Sequence, residues 1–167
     1  MLTRLSKIAL IAAVGLFLAI VVLNNLTDYK SNYDFVFHVL SMDTTFPGNA
    51  LMWRAIHSEP VYHAFYASLI LWEAAAAVLM FVGAWKLWQA RGAGGDAFNR
   101  AKNLAIGGLT LNLLQWLVAF ITVGGEWFLM WQSSTWNGQA AAGRMFTIVG
   151  LVLVFVNAKD DDLAPAK

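Results

Sequence analysis

The sequence predicts an all-α membrane protein: a four-transmembrane-helix bundle with an aromatic-rich extracytoplasmic cap, forming a single membrane domain over residues 1–167. Three observations predict it. Four apolar tracts approach or exceed the roughly 20 residues that a spanning helix needs. The chain is 59% hydrophobic and 13% charged, whereas soluble domains average about 25% charged residues. Lysine and arginine are also distributed unevenly over the connections between the tracts, as the positive-inside rule requires of a polytopic protein.

The first tract gives a helix over about 8–26, preceded by Arg4 and Lys7. Its start resembles a secretory signal. The apolar run is longer than the usual 7–15 residues, however, and it ends in Val-Leu-Asn-Asn-Leu without a small-x-small cleavage site, so it reads as a retained helix. The outer segment 27–60 carries Tyr29, Tyr33, Phe35, Phe37, Phe46 and Trp53 among few charges, and disordered loops are poor in aromatics. Within it Pro47-Gly48 marks a turn, and Asn49 is a plausible N-cap for a short helix through Met52–Ile56 that ends before Pro60.

The second helix covers 61–86 and the third 104–130, joined by a glycine-rich inner loop (87–103) that reads as a flexible connector. The second outer segment, 124–140, holds Trp127, Trp131 and Trp136 together with Glu126, Gln132, Asn137 and Gln139. Tryptophan at such positions commonly forms an interfacial belt, but this mixture, with Arg144 close by, favours a folded cap. The fourth helix spans about 140–156, and the tail Lys159–Lys167 reads as a solvated, poorly ordered end. Arg4, Lys7, Lys86, Arg91, Arg100, Lys102, Lys159 and Lys167 fall on one side, against Lys30, Arg54 and Arg144 on the other. Both termini and the 87–103 loop are therefore expected in the cytoplasm.

Composition also excludes several functions. A net charge of +1 without a Lys/Arg run gives no surface for nucleic acid. With no cysteine there are no disulfides, Fe–S clusters, thiolate metal sites or c-type haem attachment. The inner loop lacks the Gly-Lys-Ser/Thr of a phosphate-binding loop, and no glycine-flanked serine elbow occurs.

The runs Gly125-Glu126-Trp127-Phe128, Met130-Trp131-Gln132 and Trp136-Asn137-Gly138-Gln139 form a tryptophan-rich motif. With Met42-Asp43-Thr44 and Met52-Trp53-Arg54-Ala55-Ile56, the sequence resembles, over nearly its whole length, a bacterial family of predicted small integral membrane proteins. The resemblance implies a four-helix protein of the bacterial inner membrane and carries no catalytic role across.

Glu73 is the leading candidate for a functional residue. It lies inside the second apolar tract, where a carboxylate costs roughly 2.5–3.5 kcal/mol on insertion scales. Tyr62, Tyr66 and Glu73 fall close to one helical face with His63 on its flank, and Asn112, Gln115, Thr122 and Glu126 form a polar stripe on the third helix. At about 1.5 Å per residue through a core of about 30 Å, Glu73 lies about 12 Å from the inner surface, and so does Asn112. Asn112 or Gln115 is thus expected level with Glu73. The carboxyl then serves as interhelical packing glue, contributing about 0.6 kcal/mol, as a protonatable or ligand-anchoring group lining a cavity, or as a contact to a partner subunit.

At the outer face, Glu126 and Arg144 are expected to close the third and fourth helices with an interfacial ion pair; Arg54 or Arg144 alternatively binds an anionic lipid headgroup or carboxylate. Trp131, Gln132 and Asn137 complete the candidate recognition surface. Histidine raises metal and haem chemistry: His57 and His63 with Glu59 or Asp43 form a chemically allowed zinc or copper set without familiar spacing. Haem would need an axial Met such as Met52 or Met130, because the first, third and fourth helices contain no histidine. No cofactor is assigned on this basis. The favoured function is a non-enzymatic binding or accessory subunit recognising a lipid, a quinone-like molecule or a partner protein through its outer face. The competing one is a redox, metal- or haem-binding protein with its cofactor near His63. The expected partners are the lipid bilayer and a membrane-complex subunit or second copy, for which Gly107-Gly108 offers a close-packing surface.

Overall fold

The computed structural model describes residues 1–163, and these are all-helical. Four helical runs are long and apolar enough to cross a membrane: α1 (Leu2–Thr27), α3 (Glu59–Gln89), the run Gly95–Trp127, and α6 (Gln139–Asn157). The third run comprises α4 (Gly95–Ala101), α5 (Asn103–Leu114) and a π-helical stretch, Gln115–Trp127. It stops where Leu129 adopts a positive φ of 53°, and a single 3-10 turn, Met130–Gln132, follows. Each run packs on the next in sequence, and α1 touches α6 to close the ring.

Two cores fill the bundle. At the end carrying the termini, Ile11 and Leu18 of α1, Met80 and Leu87 of α3, Leu109 of α5 and Val149 of α6 are buried together. At the opposite end the core is built from α3, the Phe128–Met130 corner and a helix that sequence reading did not resolve, α2 (Tyr29–Ser41). Its Val36, Val39 and Leu40 form the i, i+3, i+4 stripe of an amphipathic helix. The aromatic content of 27–60 is visible in sequence, but the apolar stripe is short and interleaved with Lys30, Asn32 and Asp34. Met42 ends α2 with a positive φ of 54° and is buried, a backbone state that bulky residues hold only where packing over-determines it. Asn49 does not cap the short helix directly: the 3-10 turn is Met52–Arg54, and the Asn49 side chain accepts from the Leu51 N–H at 2.9 Å. Pro60 sits in the first turn of α3, where a missing N–H is harmless.

The end with the termini differs from expectation in two ways. The glycine-rich loop is not simply a flexible connector, because α4 folds within it around the fully buried Phe98. Nor is the tail a free solvated end. Asp160 is buried, and its carboxylate accepts from Lys7 and Lys102, each at 2.6 Å. Arg4 donates to the carbonyls of Arg91, Ala93 and Asp161, while Lys7 and Lys102 both reach the Ala158 carbonyl. A Cβ on Gly95 would lie 2.6 Å from the Asp160 carbonyl oxygen, so this glycine lets the tail pass. Three cations of the positive-inside count, Arg4, Lys7 and Lys102, thus form a buried ionic strap; Ala164–Lys167 of the tail lie outside the described residues.

Close helix contact explains two glycines. A Cβ on Gly83 of α3 would meet the Ala105 backbone nitrogen at 2.5 Å, and one on Gly108 would meet Met80 at 2.8 Å. Gly108 is therefore committed to packing inside the chain, whereas Gly107 faces open space.

Candidate functional site

Glu73 lies near the middle of α3, between the two cores, and is 4% exposed. Both of its oxygens accept amide hydrogens. Gln115 Nε2 donates to Oε1 at 2.8 Å, and Asn25 Nδ2 of α1 donates to Oε2 at 2.8 Å. The Asn25 amide oxygen accepts in turn from Asn32 Nδ2 of α2 at 2.6 Å, and Tyr66 O–H donates to the Asn25 backbone carbonyl at 3.4 Å. Four helical segments thus converge on one carboxyl, each supplying a side chain at the level where its own backbone passes. Gln115 is the first residue of the π-helical stretch, and π-helical turns recur at functional sites. Among the described residues no lysine, arginine or histidine lies within 4 Å of Glu73.

This network forms one wall of a cavity of about 240 Å³. The remaining walls are largely apolar: Phe35 of α2, Leu69 of α3, Trp116 and Phe120 of the π-helical stretch, and Ala141 near the start of α6. The aromatic rings follow one another, Trp116 to Phe120 at 4.8 Å and Phe120 to Phe35 at 6.2 Å. Gly138 gives Phe35 its place, since a Cβ there would lie 3.0 Å from the Phe35 ring. Val21 and Ala141 bring α1 and α6 to the cavity rim, and no α6 residue belongs to the adjacent core.

Of the residues singled out by sequence, Glu73, Tyr66 and Gln115 come together. Asn112 is fully buried one turn away and accepts from Trp116 Nε1 at 3.3 Å, while its Nδ2 has no partner among the described residues. His63 is exposed. Its Nδ1 pairs with the Tyr29 hydroxyl at 2.8 Å and its ring stacks on Tyr33 at 4.5 Å, with Glu59 at 3.8 Å. His57 is exposed too, and among the described residues no three His, Asp or Glu side chains gather as a metal set.

The expected Glu126–Arg144 ion pair does not form. Glu126 and Arg144 are both exposed and share no contact within 4 Å. Arg54 takes the cap role instead, stacking over Trp127 at 4.7 Å and Trp53 at 5.4 Å and donating to the Trp127 carbonyl at 3.3 Å. Trp131 meets Phe46 edge-on at 5.7 Å, Gln132 accepts from the Phe46 N–H at 3.0 Å, and Asn137 accepts from the Gln139 N–H at 3.1 Å. These three hold the cap together and do not reach the cavity wall.

Sequence reading missed Asn25, Asn32, Trp116 and Phe120. The Asn24-Asn25 pair is visible in sequence as a polar interruption just before the end of the first apolar tract, but nothing local links it to Glu73.

Comparison with curated proteins and with solved structures gives no match. A family model, predicted small integral membrane protein (DUF2165), matches residues 3–159. The chain, an all-helical protein with four membrane-spanning candidates, belongs to this family of predicted small integral membrane proteins.

Proposed function

We propose that the protein is a non-enzymatic binding or accessory subunit of the bacterial inner membrane that holds a small lipid-like or quinone-like molecule in the Glu73 cavity, beneath its aromatic cap. Both termini lie in the cytoplasm in this reading, and the cap of residues 28–58 and 128–138 faces outward. The carrying observation is the combination of one polar wall with several aromatic ones around about 240 Å³. Ligand sites in membrane and soluble proteins alike are concave, mostly apolar, and oriented by a few polar groups. A cavity of this size suits a headgroup or single ring whose tail leaves past Val21 and Ala141.

The test is native mass spectrometry of the full chain extracted from its membrane in polymer discs. A stoichiometric adduct is expected on the wild-type protein, and Ala141→Trp, which fills the cavity from its rim, is expected to remove it. An adduct that survives Ala141→Trp, or no adduct on a folded wild-type protein, refutes the proposal.

A further inference from the structure

We propose that the ligand of the Glu73 cavity is an organic cation, an ammonium group on a short apolar body, with Glu73 as its counter-ion; this rests on the cavity being a ligand site at all. The argument begins with hydrogen-bond direction. An ionised carboxylate only accepts, and both Glu73 oxygens accept N–H groups from Gln115 and Asn25. Asn32 extends the same direction by donating to Asn25. Every amide in the network therefore points its hydrogen towards the carboxyl, the polarity that an anion imposes. Buried charges are ordinarily paired, yet among the described residues no cationic side chain lies within 4 Å of this one. Elsewhere in the same fold the buried Asp160 has two lysines at 2.6 Å.

The surface that Glu73 faces has the complementary chemistry. Tyr66, Phe35, Trp116 and Phe120 line the cavity beside it, and aromatic faces attract ammonium groups, the more strongly when desolvated. A neutral ligand with a hydroxyl or carbonyl would gain from Asn25 and Asn32 but would leave the carboxylate without a counter-charge. A carboxylate plus three or four rings is the acceptor set of an ammonium site. The apolar body of the ligand then lies against Leu69, Val21 and Ala141.

The experiment is isothermal titration of the full-length protein in detergent with octylammonium and with its uncharged counterpart octanol. Wild type is expected to prefer octylammonium by about ten-fold or more, the effect of one charge-assisted contact. Glu73→Gln is expected to erase that preference by weakening octylammonium, and Ala141→Trp to weaken both ligands. Should Glu73→Gln not fold, Glu73→Asp keeps the charge and is expected to keep the preference. Equal wild-type affinity for the two ligands, or an octylammonium preference that survives Glu73→Gln, overturns the cation assignment while the cavity reading stands. Failure of both ligands to bind a folded wild-type protein overturns the cation assignment, and the adduct experiment above then decides the cavity reading separately.

Discussion

Asp160→Asn is the most informative single change at the end of the bundle with the termini. The Asp160 carboxylate lies 2.6 Å from both Lys7 and Lys102, whose side chains are 2% and 3% exposed. Removing its charge leaves two buried ammonium groups without an anion, with Arg4 anchored on the adjacent Asp161 carbonyl. Breaking a buried pair by deleting one partner costs about 3–5 kcal/mol, chiefly through the charge left behind. At roughly 2–4 °C per kcal/mol for a chain of this size, Asp160→Asn is expected to lower the melting midpoint by at least about 6 °C, followed by tryptophan emission in detergent. Burial pushes the Asp160 carboxyl up, but its bonds to Lys102 and Lys7 outweigh burial and hold it below the usual carboxylate range. A depressed folded value means that the stabilisation is complete above the unfolded value of about 3.9. It is lost as pH falls through the lower, folded value. Wild type should therefore lose this stability below about pH 4, and Asp160→Asn should show a flatter profile there. A variant that melts within about 1 °C of wild type would refute the strap as a stabilising element.

Three further outcomes follow from the packing. Gly83→Ala places a Cβ 2.5 Å from the Ala105 backbone, so α3 and α5 must separate; a loss of about 1–3 kcal/mol is expected in chemical denaturation, and wild-type stability would contradict the close approach. Glu73→Leu strands the Asn25 and Gln115 amides, at about 1–3 kcal/mol for each group, and should destabilise more than Glu73→Gln in the same assay; the reverse order would remove the network from the account of stability. Reporter fusions at residues 45 and 95 should report an external and a cytoplasmic site respectively, and external activity at residue 95 would invert the proposed orientation.

The four spans were legible because bilayer thickness imposes a length and a composition that sequence displays directly. The meeting of Glu73 with Gln115 was legible for a similar reason, since helix rise converts residue number into depth. Asn25 was harder: it sits near the end of α1 while Glu73 sits midway along α3, so counting residues from the tract ends does not bring them level, and the contact appears only in the fold. The Glu126–Arg144 pair was expected only because the two residues flank a short connection; the chain between them instead folds into its own corner and 3-10 turn, and nearness in sequence did not become a contact. The strap was invisible because Lys7 and Asp160 are 153 residues apart and each reads locally as a terminal charge. The aromatic cap was visible as composition, but its internal order depends on Met42 and Leu129 at positive φ, which no residue preference announces.

The division of the interior into two cores makes the bundle's stiffness unequal along its axis. Around the termini, ionic ties and backbone-to-backbone approach at Gly83 hold all four spans in register. At the other end the cohesion comes from apolar packing and hydrogen bonds without a buried ion pair among the described residues, and α6 takes no part in that core. Opening free energies within a protein follow such differences in local packing. Thermal motion should therefore concentrate at the capped end, with the Glu73 level acting as the pivot. The cavity lies on the compliant side of that pivot, so its width can breathe while the far end stays fixed.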